Sequence, residues 1–111
     1  MSYNGWTNYE TWDVHLHMSN DREQQDFWSE VAKVCYMVAA PDETFTQAER
    51  AAFEMADRIR QEHTDAAEEM LLAANYEIGP LADLLRGALS EVNWHEIAKH
   101  WIEAAKQEVE V

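Results

Sequence analysis

The stretch TQAERAAFEMADRIRQEHTDAAEEMLLAAN, residues 46–75, decides the fold. Thr46 and Glu49 form an S/T-x-x-E capping box, the pattern that begins a helix. From Ala48 onward, small and apolar residues recur at helical spacing through the whole segment. The pattern predicts either one long helix over 47–75 or two helices separated near Thr64.

The residues before this segment also have helical patterns. Thr7 and Glu10 repeat the capping box and predict a first helix over residues 8–19. A second helix follows and ends before Pro41. Its predicted buried stripe consists of Phe27, Val31, Val34 and Val38, with Trp28, Cys35 and Ala39 beside it.

After the central segment, Gly79-Pro80 stops one helix and Asn93 with Glu96 can cap the last one. Between them lies a short helix with Leu81, Leu84, Leu85 and Leu89. The last helix has two apolar stripes, Ile97, Trp101 and Ala105, and Ala98, Ile102 and Val109. The sequence therefore predicts an all-α fold, a compact bundle of five to six mostly antiparallel helices in one domain over 1–111.

The composition narrows the class of protein. The 111 residues include 22 acidic and 8 basic side chains, a net charge of −14, yet 47% are hydrophobic, too many for a disordered acidic tail. A lone cysteine, no secretion signal and no long apolar run predict a cytoplasmic protein. The negative charge opposes direct binding to nucleic acid or to an anionic membrane.

The histidines do not have the spacing of a metal site. His15 and His17 point about 200° apart on a helix, and the segment from His95 to His100 has one residue too many for H-E-x-x-H. Two pairs at i,i+4 can hold a metal in part or make a side-chain hydrogen bond: Asp13 with His17, and Glu96 with His100. We expect no metal site and no cofactor.

No enzyme motif is evident either. The chain has neither a Gly-rich phosphate loop nor a G-x-S-x-G elbow. Cys35 lies on an apolar helix face, where cysteine usually behaves as a small core residue. We therefore expect a protein that is not an enzyme and has no catalytic residue.

Aromatic residues are numerous, and most have the spacing of core residues. We expect Trp12, Trp28, Trp94 and Trp101 to pack in the core. The segment with Tyr3, Trp6 and Tyr9 precedes or begins the first helix. Trp6 and Tyr9 either staple the terminus onto the body or form an exposed patch that binds a partner.

Negative charge is arranged along the central segment. If the segment is one helix, six carboxylates fall within an arc of about 140°, opposite the apolar stripe, and form an acidic ridge about 22 Å long. The acidic ridge consists of Glu54, Asp57, Glu62, Asp65, Glu68 and Glu69. Arg58 lies inside the same arc and offsets part of the charge.

The average charge of the surface is too low to imitate DNA. Spread evenly, the net charge is about one per 450 Å², against about one per 107 Å² for duplex DNA. Mimicry therefore requires the negative groups on one face, and the acidic ridge together with nearby Asp42 and Glu43 is the best candidate. The alternative interpretation is a solvated face that serves only solubility.

Two segments resemble a known family. The first is Asn4-Gly5-Trp6-Thr7-Asn8-Tyr9-Glu10-Thr11-Trp12, which resembles the signature G-W-x-N-Y-E-T-W of small phage and prokaryotic proteins. The second is Leu81-Ala82-Asp83-Leu84-Leu85, Ala88-Leu89 and Val92-Asn93-Trp94-His95-Glu96-Ile97-Ala98, which is similar to their pattern D-L-L…A-L…V-N-W-x-E-I-A. The match lies at both ends of the chain and leaves out the acidic ridge.

The resemblance implies a domain of unknown function that is common in phages and other mobile elements, with no catalytic residues to carry over. Small acidic helical proteins of such elements often inhibit host DNA-targeting defence. We therefore expect an anti-CRISPR or anti-restriction protein in the host cytoplasm. Its acidic ridge binds a basic DNA-handling surface, in one form as a DNA mimic, with exposed aromatic residues as anchors. The alternative is a helical interaction or assembly module, homodimeric in one form, with no inhibitory role.

Overall fold

The longest helix, α3 (Gln47–Ala74), is continuous in the computed structural model, which describes residues 2–110. The first and last residues of the predicted domain lie outside the described part. Thr64 does not break α3, because its hydroxyl donates within the helix, to the carbonyl oxygens of Arg60 at 2.9 Å and Gln61 at 3.2 Å. The predicted Thr46–Glu49 capping box is confirmed. Of the two alternatives for the central segment, one long helix is correct.

Four more helices complete the fold of the described residues, and the all-α prediction is confirmed. They are α1 (Tyr9–Asn20), α2 (Arg22–Val38), α4 (Pro80–Ser90) and α5 (Trp94–Val109). Asn93 caps α5 as predicted, since its side chain accepts a hydrogen bond from the Glu96 amide at 3.0 Å. Across residues 2–110, no helix is both long and apolar enough to cross a membrane.

The body of the bundle consists of α2 and α5 packed on the first half of α3. Both run antiparallel to α3. Near one end, Trp28 of α2 and Trp94 of α5 lie 6.0 and 5.5 Å from the ring of His63. At the opposite end, Gln47 donates to the Tyr36 carbonyl oxygen, and the Tyr36 hydroxyl donates to Glu110 at the end of α5. The helices α2 and α5 are therefore parallel to each other. The core between the three helices includes Met55, Ile59, Ile97 and Ile102, each at most 1% exposed.

The first helix begins one residue later than predicted, and its cap is different. Asn8, not Thr7, is the N-cap, and its side chain accepts the Thr11 amide at 2.9 Å. Thr7 instead connects the N-terminal segment to α5, because its amide donates a hydrogen bond to a carboxylate oxygen of Glu96 at 3.1 Å. Both residues are good caps, and the contact with α5 decides between them.

The predicted stripe of α2 is wrong by one helix position. Phe27, Val34 and Val38 are exposed. Val31 of the stripe and the neighbouring Trp28 and Cys35 are buried as predicted, and Ala32 and Tyr36 complete the buried face of α2. The two stripes lie about 100° apart on the helix, and α3 and α5 cover the one with the larger Trp28 and Tyr36 side chains. Burial of Trp28 and Trp101 is confirmed, but Trp12 and Trp94 are only half-buried.

Candidate functional site

The acidic ridge lies on one face of α3. The prediction of the ridge required the central segment to be one helix, and α3 is uninterrupted. All six of its carboxylate residues are exposed. Because α3 rises 1.5 Å per residue, Glu54 and Glu69 are about 22 Å apart along the helix axis. The structure therefore brings the six predicted residues together on α3.

Part of the ridge charge is already neutralised by neighbouring side chains. Arg86 of α4 binds Glu68 in a bidentate pair, with N–O distances of 2.8 and 2.9 Å. These hydrogen bonds, more than the charge alone, lower the pKa of the Glu68 carboxyl. Arg60 also approaches Asp57 at 3.8 Å, in an exposed contact of little energetic value. Glu68 is thus mainly a contact between α3 and α4.

The remaining negative charge is concentrated in the middle of α3. No salt bridge within residues 2–110 reaches Glu54, Glu62, Asp65 or Glu69. Beside them is an open depression of about 350 Å³, lined by Arg58, Gln61, Glu62, Asp65, Ala66 and Glu69. It offers three carboxylates that have no ion pair against one guanidinium, a suitable surface for a cationic group of a partner. Gln61 donates a hydrogen bond to Asp65 at 2.8 Å, which leaves the negative charge in place.

A tight turn precedes α1 and fixes the position of the N-terminal aromatic residues. Tyr3 and Trp6 exchange two backbone hydrogen bonds, of 2.6 and 2.8 Å. Between them, Asn4 and Gly5 have φ angles of 49° and 88°. Two positive φ values in succession favour Asn-Gly, which explains the glycine that begins the sequence signature and the asparagine before it in this chain.

Trp6 and Tyr9, which sequence reasoning grouped together, have different environments. Trp6 is half-buried against the core, with its ring 4.4 Å from that of His15 and 5.5 Å from that of His100. Tyr9 is 49% exposed and forms a surface cluster with Tyr3 and Trp12, at ring distances of 5.0 to 5.7 Å. Trp6 thus acts as the staple, and Tyr9 belongs to an exposed aromatic patch.

The two segments that carry the sequence resemblance meet in space. The Asn93 amide, just before α5, donates to the hydroxyl of buried Thr11 in α1 at 2.9 Å. Thr7 and Glu96 form the second link, described above. The similarity at the two ends of the chain therefore describes one structural unit, in which α1 is attached to the start of α5.

His15 lies in an aromatic environment between α1 and α5. Its pKa is lowered from 6.5 to about 4, first by burial and then by the nearby His100, whose ring is 4.6 Å away. The buried Nε2 of His15 and Nε1 of Trp101 have no hydrogen-bond partner among the described residues. A neutral imidazole tolerates such a site better than a charged one does.

The two i,i+4 pairs considered for metal binding make ordinary contacts. His17 Nε2 lies 3.5 Å from an Asp13 carboxylate oxygen at the surface. Glu96 accepts a hydrogen bond from the Thr7 amide at 3.1 Å. Residues 2–110 contain no group of three or more His, Cys, Asp or Glu side chains arranged to hold an ion.

Sequence reasoning missed two features of the surface. One is the Arg86–Glu68 pair, which joins residues 18 positions apart on different helices. The other is the outer face of α4, where Leu81 is 62% and Leu84 is 70% exposed. Four leucines in an eleven-residue helix were a signal in the sequence, because one neighbouring helix rarely covers them all.

The chain belongs to a family of unknown function (DUF7249), whose model matches residues 1–110. No curated protein and no solved structure matches it.

Proposed function

We propose that this protein is a non-enzymatic inhibitor, encoded by a phage or other mobile element, that acts in the host cytoplasm against a CRISPR or restriction system. Its acidic ridge binds the basic surface on which the host complex holds DNA. The partner is a protein, because the charge of −14 repels nucleic acids and anionic membranes.

The acidic ridge is the observation that supports this proposal. Six carboxylates over about 22 Å give one charge per about 4 Å along α3, close to the one phosphate per 3.4 Å of a single DNA strand. With Asp57 and Glu68 engaged by arginines, the four free carboxylates give about one charge per 6 Å. The ridge thus carries somewhat more than half the linear charge density of one DNA strand, well below that of a duplex, and Arg58 in the same arc offsets part of it.

Concentration of charge on α3 matters because the average surface is only weakly charged. The net charge of −14 over a surface of 7459 Å² gives about one charge per 530 Å². This average charge density is well below that of duplex DNA, which has about one charge per 107 Å². A basic groove would therefore orient the protein with the ridge inward. Complementary charge of this kind accelerates association and makes it sensitive to salt.

The exposed aromatic patch supplies a second type of contact. Tyr9, with Tyr3 beside it, offers rings of the kind that often dominate binding energies at interfaces. Trp6, also predicted to bind the partner, contributes by holding the turn in place. Because α1 packs on α2 and α5, this patch would contact a region of the partner outside the groove that receives α3.

The test is capture of the partner and measurement of its activity. Tagged protein is incubated with host lysate at low salt, bound proteins are identified by mass spectrometry, and the wash is repeated at high salt. We expect a DNA-binding defence complex that high salt releases, and whose DNA cleavage or DNA binding the purified protein inhibits.

The ridge variant changes only the free carboxylates: Glu54→Gln, Glu62→Gln, Asp65→Asn and Glu69→Gln. Glu68 is kept because it holds α4. A matched control removes four exposed carboxylates elsewhere: Glu23→Gln, Asp26→Asn, Glu91→Gln and Glu103→Gln. Loss of inhibition in the ridge variant alone supports the proposal, and full inhibition by a folded ridge variant would refute it.

A further inference from the structure

The fourth helix has more apolar surface than the rest of the chain covers. It packs on the C-terminal half of α3 through Ala82, which is fully buried, and through the half-buried Leu85 and Leu89. Leu81 and Leu84 point elsewhere and are 62% and 70% exposed. With Ala88 they form a stripe at i, i+3 and i+7, the spacing of a helix face that packs against another helix. We call this stripe the α4 face.

More apolar side chains lie on the segment that leads into α4. Tyr76 is 58% exposed and Ile78 is 94% exposed. Exposed apolar residues are unremarkable when they are scattered, but Tyr76, Ile78, Leu81 and Leu84 fall within nine residues of the chain, and a concentration of this kind is typical of an interaction surface. Complete burial of a large apolar side chain usually contributes about 1.5–3 kcal/mol, which at about 25 cal/mol/Å² corresponds to about 100 Å² of apolar surface. We therefore assign about 100 Å² to each of Tyr76, Ile78, Leu81 and Leu84.

That area is suited to a dimer of ordinary size. A stable interface buries about 800 Å² on each partner, of which about 60% is apolar. Such an interface therefore contains about 480 Å² of apolar area on each partner. The four side chains supply about 400 Å², which is most of it. A helix stripe is also self-complementary when a two-fold axis passes through it, as an isologous dimer requires.

The distribution of charge indicates which partner fits. Within the described part of the chain, α4 alone among the helices has no net charge, with one Asp83 and one Arg86. Arg86 is moreover engaged by Glu68, so neither the arginine nor that carboxylate is left free beside the face. A basic partner would be drawn to the other helices, each of which is net acidic. The segment before α4 adds one exposed carboxylate, Glu77, so the surface is close to neutral. Two copies with a charge of −14 repel least at such a surface.

We propose that the α4 face pairs with the α4 face of a second copy of this chain, forming a two-fold symmetric homodimer. The contact is separate from the acidic ridge and does not depend on the proposed inhibitory function. It also differs from binding of a basic surface in its response to salt. Screening of the mutual repulsion leaves an apolar dimer intact or strengthens it, whereas it weakens the binding of a basic partner.

The experiment is sedimentation of the purified full chain from dilute to concentrated solution, at low and high salt. We expect the mass to rise from 12.9 kDa to twice that value with concentration, at either salt level. The test variant is Leu81→Gln with Leu84→Gln, which adds no charge and alters side chains that are exposed in the monomer. We expect it to remain at 12.9 kDa throughout.

A matched control changes an exposed apolar residue on a different helix. Met37→Gln, at a position that is 58% exposed in α2, should associate like the unaltered chain. Helix content by circular dichroism verifies that both variants fold. A mass of 12.9 kDa at every concentration, or a dimer that the double variant leaves unchanged, would overturn the proposal.

Discussion

The buried hydroxyl of Thr11 accepts a hydrogen bond from the backbone amide of Asn93, 82 residues later in the chain, at 2.9 Å. The same hydroxyl donates to the Asn8 side chain at 2.6 Å, and Asn8 in turn caps α1. Through these bonds one side chain connects the start of α1 to the start of α5. Thr11 is completely inaccessible to solvent and is the one buried polar residue of the described chain.

Replacement of Thr11 by valine should therefore destabilise the protein, although the two side chains have nearly the same size. Valine preserves the shape but leaves the Asn93 amide without its acceptor, at a cost of about 1–3 kcal/mol in the free energy of unfolding. Thr11→Ser keeps the hydroxyl and loses one methyl group, a cost of about 0.8 kcal/mol. Urea denaturation of the two variants measures the difference. Equal losses would show that the hydrogen bond is unimportant.

Local sequence signals predicted the helices well, because caps and periodicity act within a few residues. Thr46 and Asn93 begin helices as predicted, and the Gly79-Pro80 stop precedes α4. The choice between Thr7 and Asn8 could not be made locally, since it depends on Glu96 of α5. The buried stripe of α2 was wrong for the same reason, because its position depends on where α3 and α5 lie.

Some features of the surface could also be predicted from local sequence, and others could not. The acidic ridge could be predicted, because six carboxylates on one helix share a face by geometry alone. The loss of free charge at Glu68 could not, since Arg86 reaches it from another helix. The exposure of Leu84 also depends on tertiary structure, because only the packing of α4 on α3 shows which leucines remain uncovered.

The two glycines Gly5 and Gly87 should respond in opposite ways to alanine. Gly5 has a φ of 88°, so an alanine there is strained by about 1–2 kcal/mol and should open the N-terminal turn. Gly87 lies within α4 with free space around it, so alanine should stabilise the helix by about 0.5–1 kcal/mol. Hydrogen exchange of the Trp6 amide and urea denaturation report the two effects. A stabilising Gly5→Ala would contradict the turn assignment.

The contact of Glu68 with Arg86 should make the attachment of α4 sensitive to acid. The folded-state pKa of Glu68 is lowered below 4.5 by the hydrogen bonds from Arg86, so the contribution of the pair is present above pH 4.5 and lost as the pH falls through the lowered value. Glu68→Gln should therefore increase hydrogen exchange of α4 near neutral pH and have no effect in strong acid. The same increase at both pH values would argue against an ionic contact.

Cys35 should be unreactive in the folded protein. Its side chain is buried between helices, and burial raises the pKa of the thiol, so both access and the thiolate fraction are low. A thiol reagent should react only at the rate of unfolding in buffer and immediately in denaturant. Fast reaction in buffer, with helix content unchanged, would show that α2 opens locally.

His15 should make stability depend on pH above the range of the carboxylates. Its folded-state pKa is about 4 against 6.5 when unfolded, so between these values the unfolded chain binds a proton that the folded chain does not. Stability should therefore fall as the pH is lowered from 6.5 toward 4. His15→Phe keeps a ring against Trp6 and should flatten this part of the profile, measured by urea denaturation. An NMR titration gives the pKa directly, and an imidazole of His15 that titrates near 6.5, with the same pH profile in the variant, would contradict the prediction.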